Sequence, residues 1–197
     1  ASPHSAISLN TTFSIINLKM NNTYQNILDK TNFGAPKDWL QIKTIDMHTG
    51  GEPLRVIIGG FPELKGNSVL EYRRYCKDNF DYLRTSLMFE PRGHADMYGC
   101  LLLPPNDDEG DFGILFLHNE GYSTMCGHAI IAISTLAVEM KWIDVKEGDN
   151  IIKIDAPCGR ITAFAHVKNG KVTSVRFHCL PSFVVGLDRT VNVEGLG

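Results

Sequence analysis

"AIIAISTLAVEM" occupies residues 129–140, and only Ser134, Thr135 and Glu139 interrupt its apolar run. A helix over this stretch has no polar face to turn toward water, and a helix that is apolar all round is buried all round. The spacing predicts a helix from about Cys126 to Met140, so the rest of the chain must supply its cover. That cover reads as strands: "MYGCLLLP" (97–104), "FGILFLH" (112–118), "IIKIDA" (151–156), "RITAFAHV" (160–167) and "VTSVRFH" (172–178). Short turns carrying Gly, Asn and Asp separate most of them. Upstream, "QIKTIDMHTGGEPLRVIIGG" (41–60) reads as strand, Gly-Gly turn and strand. "NSVLEYRRYCKDNFDYLRTSLMFEP" (67–91) reads as a second helix, capped by Asn67 or Ser68. Val69, Tyr72, Cys76, Phe80 and Leu83 follow a helical period, and Pro91 lies beyond its end. The fold class is therefore α+β: a curled, mainly antiparallel sheet around one buried central helix, with a second helix outside. No internal repeat is visible.

The balance of charge excludes several functions. A net charge of −3, with 19 basic and 22 acidic residues mixed along 197 positions, leaves no basic stripe for nucleic acid; Arg73-Arg74 is the strongest short cluster. No apolar run reaches the length of a membrane span. The five cysteines, 76, 100, 126, 158 and 179, are scattered, odd in number and without CxxC pairs, which favours reduced thiols in the cytoplasm.

Residues 1–40 are rich in Asn, Ser and Thr, show no sustained period and are expected to form a poorly ordered extension without chemistry. "SIINL" (14–18) is too short for a signal-peptide core, so the sequons at Asn10 and Asn21 read as chance matches. Met20 is a candidate start. Residues 41–197 form the expected lobe, and its sheet is expected to continue beyond "DRTVNVEGLG" (188–197), where another strand would begin.

Chemistry concentrates in "HNEGYSTMCGHAIIAI" (118–133). With Ser123 or Thr124 as cap, Cys126, Gly127 and His128 fall in the first turn of the central helix. The free N–H groups there attract anions and should lower a thiol pKa. Gly127 lets a carboxylate approach those groups closely. A thiolate beside a carboxylate nest suits removal of a proton alpha to that carboxylate. Spacing alone leaves Cys126 open as a buried core thiol. Zinc is disfavoured, because Cys-x-His is not a usual ligand spacing and no paired partner is visible. "DMHTGGEPLR" (46–55) and "MFEPRGHADMYG" (88–99) are also dense in Gly, His and acidic residues at strand ends. There His48, Glu90, Arg92 and His94 are candidates for a site, or for a surface ion pair and ordinary loop histidines.

"DMHTGGEPLR", "RRY" (73–75), "LMFEPRGHADMYG" (87–99) and "LFLHNEGYSTMCGHA" (115–129) resemble the proline racemase family over about Ile45 to the C-terminus. The residues before MCGH look most like the trans-3-hydroxy-L-proline dehydratase branch. The resemblance implies one lobe of a diaminopimelate-epimerase-like fold, whose site lies between the helix N-termini of two similar lobes, and a homodimer for the complete form. It implies an imino acid substrate and dehydration to Δ1-pyrroline-2-carboxylate without metal or cofactor. Cys126 is then the base for the Cα proton. The N–H groups of Gly127 and His128 hold the carboxylate, His128 also reaches the ring nitrogen, and Glu90, Arg92 and His94 line the floor. The alternatives are a proline racemase or 4-hydroxyproline epimerase, which needs a second cysteine, and a non-catalytic lobe that binds a ligand or partner. Cys158, in "DAPCGRIT" (155–162), is expected to be a structural turn residue, and Cys76, Cys100 and Cys179 are expected to be structural as well.

Overall fold

The computed structural model describes residues 22–30 and 34–195. In chain order the elements are α1 (Asn22–Lys30), β1 (Lys43–Thr49), β2 (Glu52–Gly59), α2 (Val69–Met88), β3 (Tyr98–Leu103), β4 (Phe112–His118), α3 (Gly127–Glu139), β5 (Gly148–Ala156), β6 (Gly159–Lys168) and β7 (Lys171–His178). The seven strands form one sheet in sequence order. Four pairings are antiparallel (β1–β2, β3–β4, β5–β6 and β6–β7). The other two, β2–β3 and β4–β5, are parallel. Parallel neighbours need a crossover, and α2 and α3 supply the two.

The sheet is curled around α3, which packs against β1 and β2 from one edge and β6 and β7 from the other. Ala129, Ile130, Ile133 and Ala137 of α3 are fully buried. Burying a side chain the size of isoleucine contributes about 1.5–3 kcal/mol, so α3 holds its place mainly through packing. The strands between the helices are covered on both faces, which explains their unbroken apolar runs. In β4, Ile114 and Phe116 face the α3 cluster, whereas Leu115 and Leu117 face the α2 cluster.

Helix α2 begins at the expected cap: Ser68 accepts a hydrogen bond from the Glu71 N–H, and the Glu71 carboxylate accepts from the Asn67 N–H. It kinks at Phe80. Its inner face carries Arg84, only 7% exposed, which pairs with Asp81 and donates to the carbonyls of His118 and Asn119. This guanidinium fixes the turn that leaves β4 toward α3.

Helix α1 was not expected. Tyr24, Ile27 and Leu28 follow a helical spacing there, but over only nine residues, and the helix buries no residue. The remainder of the expected poorly ordered stretch falls chiefly on residues 1–21 and 31–33, outside the described residues, as are residues 196 and 197. Cys158 does sit in the turn between β5 and β6, as expected.

Candidate active site

The N-terminus of α3 opens at one end of the curled sheet, and several elements converge on it. Cys126 is itself the N-cap, with extended backbone (φ −147°, ψ 110°), in place of the expected Ser123 or Thr124. Thr124 is drawn away because its carbonyl accepts the Cys158 N–H at 3.1 Å, tying the β5–β6 turn to the loop that leads into α3. Gly127 is the first helical residue. A Cβ placed there would stand 3.4 Å from the ring of Phe177 on β7, in ordinary contact.

Cys126 Sγ lies 3.3 Å from Nδ1 of His128 and 3.6 Å from Nε2. The His128 ring is held edge-on by Tyr98 of β3 at 4.9 Å between centroids, and Tyr98 stacks on His118 at 5.3 Å. From the β1–β2 hairpin, the Thr49 hydroxyl donates to the His128 carbonyl at 2.9 Å. That hairpin turns on Gly50 and Gly51, both at positive φ, a conformation glycine adopts without strain.

The expected lowering of the Cys126 pKa is not what the structure gives. Burial pushes the thiol up to about 11, the N–H groups of Ala129 and His128 pull it down without closing a capping hydrogen bond, and the charge of Glu52 raises it further. At 7% exposure the loss of hydration outweighs the helix terminus. Cys100, fully buried behind it, is raised by burial and by the nearness of Cys126.

Of the residues singled out from sequence, Cys126, Gly127 and His128 come together. Glu90, Arg92 and His94 lie exposed on the loop between α2 and β3. Among the described residues, no hydrogen bond or ring contact joins Glu90 or His94 to Cys126 or His128. His94 instead accepts the Asp96 N–H and, through its carbonyl, the Asn119 amide. The Arg92 carbonyl accepts from Arg55, which is locked to Asp46. Three contributors were not singled out: Thr49, Glu52 and Tyr98. All lay within quoted motifs, but only the curl of the sheet brings them to α3. Among the described residues no group of three or more His, Cys, Asp or Glu side chains is placed to hold a metal ion, and no helix is long and apolar enough to cross a membrane.

The profile described as proline racemase matches residues 44–197. The chain belongs to the proline racemase family. Within it, the chain is 48% identical over 163 residues to a trans-L-3-hydroxyproline dehydratase of Xenopus tropicalis, covering 82% of this chain and 47% of that protein. It is 51% identical over 162 residues to a trans-3-hydroxy-L-proline dehydratase of Colwellia psychrerythraea, covering 82% and 45%. Among solved structures it resembles a hydroxyproline epimerase from Agrobacterium vitis with bound trans-4-hydroxy-L-proline: TM-score 0.74, 28% identity, 79% of this chain and 46% of that one. The chain thus spans a little under half the length of these relatives. The family assignment agrees with the observed α+β architecture and with the motif around Cys126.

Proposed function

We propose that this chain is the N-terminal lobe of an enzyme that dehydrates trans-3-hydroxy-L-proline to Δ1-pyrroline-2-carboxylate. The observation that carries the reading is the 48–51% identity to dehydratases over the region that sets Cys126 at the mouth of α3. The structural neighbour with a bound hydroxyproline supports an imino acid as ligand.

In the proposed reaction the substrate carboxylate sits on the free N–H groups of Gly127 and His128. Cys126 as thiolate takes the Cα proton. His128, 3.3 Å from the sulfur, is placed to receive the thiol proton beforehand. The charge that develops on the carboxylate is held by the same N–H groups and the positive end of the helix. The C3 hydroxyl leaves as water with a proton from the facing lobe, and the resulting enamine tautomerises to the cyclic imine. Side chains and backbone carry every step, with no metal or cofactor. Glu90 and His94 complete the substrate-binding set when the second lobe closes on the loop after α2. We place the complete form in the cytoplasm, in keeping with the free cysteines of this chain, and as a homodimer.

The epimerase reading needs a second cysteine from the facing lobe, and the 28% identity to the epimerase is well below that to the dehydratases. Product analysis decides between them. The form carrying both lobes, given trans-3-hydroxy-L-proline, should release the cyclic imine. Recovery of a Cα epimer with its hydroxyl intact would overturn the dehydratase reading. Absence of any turnover would favour a binding lobe.

A further inference from the structure

Glu52 opens β2 and stands directly across the hairpin from Thr49. Residues opposite one another on antiparallel strands project their side chains to the same face. The Thr49 hydroxyl reaches the His128 carbonyl, so that face is turned toward the start of α3, and Glu52 shares it. A second observation agrees: the Glu52 charge is felt at Cys126, where it opposes thiolate formation. No hydrogen bond or ion pair among the described residues engages the Glu52 carboxylate, which is exposed. The start of α3 therefore has N–H groups without a side-chain cap and, on the sheet face turned toward it, a carboxylate with no hydrogen bond or ion pair among the described residues.

An imino acid carries the complementary pair. With its carboxylate on the helix N-terminus and its Cα at the Cys126 sulfur, its ring ammonium, bonded to the same Cα, needs an anionic partner. We infer that Glu52 is a substrate-binding residue that receives the ring ammonium of the imino acid. The inference rests on the proposed role of Cys126. It adds a second consequence: pairing with the ammonium neutralises Glu52 and removes its opposition to the Cys126 thiolate. The base is thus favoured when a ligand bearing the ring ammonium is in place, and an anion lacking the ammonium gives no such help.

The test is protection of Cys126 from iodoacetamide in the folded chain, mapped by mass spectrometry at mildly alkaline pH. Two ligands are compared, trans-3-hydroxy-L-proline and tetrahydrofuran-2-carboxylate, which keeps the ring size and carboxylate but has oxygen in place of the ammonium. The wild-type chain should be protected at lower concentrations of the imino acid. In Glu52→Gln that preference should shrink about three- to fivefold, the worth of an exposed ion pair, while protection by the tetrahydrofuran acid does not weaken. Without ligand, Cys126 of the variant should label faster. An unchanged preference in Glu52→Gln would overturn the role of Glu52 and leave that of Cys126 intact. Failure of both ligands to protect the wild-type chain would overturn the role of Cys126, and this inference with it. Glu52 is exposed, so the substitution leaves the core untouched, and circular dichroism checks that it does.

Discussion

The Cys126 sulfur lies 3.3 Å from Nδ1 of His128, two residues along the same chain, and the imidazole that makes this approach is itself held from β3 by Tyr98. The thiol, the imidazole beside it and the support of that imidazole thus come from the start of α3 and from β3.

Burial that raises the Cys126 pKa to about 11 makes its reactivity steeply dependent on pH. The thiolate is the reacting form, so the rate of Cys126 alkylation should still be rising at pH 10. Cys179, which is exposed, should label before it at neutral pH. The linked effect on stability has a definite sign. A folded-state pKa above the unfolded value of about 8.5 means that the contribution is complete below that pH and is lost as pH rises through about 11. Urea midpoints measured across that window should fall in the wild type and fall less in Cys126→Ala.

Tyr98→Phe and Tyr98→Leu separate ring packing from the hydroxyl. The contact with His128 is between rings, with centroids 4.9 Å apart. Phe should therefore leave Cys126 alkylation unchanged, while Leu frees the imidazole and alters the rate several-fold with the fold retained. Equal effects of Phe and Leu would assign the role to the hydroxyl.

Gly127→Ala should leave the fold intact, because the new methyl meets only Phe177 at an ordinary 3.4 Å and alanine favours a helix over glycine by about 0.5–1 kcal/mol. The same methyl narrows the approach to the free N–H groups. In the two-lobe form KM should rise about tenfold, as expected when one charge-assisted hydrogen bond is lost, while Tm stays level or rises.

How much of this was legible in the sequence depends on how local each cause is. Helix α3 announced itself because no face of it is polar, and the Ser68 cap of α2 because its partners lie within four residues. The cap of α3 was misread. Ser123 and Thr124 are good capping types, but the Thr124 carbonyl is taken by the Cys158 N–H, thirty-four positions on, and the turn carries the cap forward to Cys126. Thr49 escaped notice for the same reason: its partner, His128, is 79 residues away and meets it only once the sheet has curled. The thiol pKa was misjudged because a helix terminus can be read from sequence and the depth of burial cannot. Helix α1 does carry Tyr24, Ile27 and Leu28 at helical spacing, but over nine residues that bury nothing the pattern is too short to stand out.

Arg84→Ala should be the most destabilising of these changes. It leaves the His118 and Asn119 carbonyls and Asp81 without their donor in a partly buried setting. The cost is about 2–4 kcal/mol, read as a drop in Tm of roughly 6–12 °C. Because the turn it holds leads to Cys126, the fraction of chain that stays folded should also show altered Cys126 labelling.

The central claim is that Cys126 takes the Cα proton. Its most direct test is the rate of Δ1-pyrroline-2-carboxylate formation from trans-3-hydroxy-L-proline by the two-lobe form and by its Cys126→Ser variant, with circular dichroism confirming equal folding. A serine hydroxyl in the same place is a far weaker base, so turnover should fall by a factor on the order of 100 or more. Full turnover in the folded Cys126→Ser variant would mean that another group takes the proton, and would contradict the account.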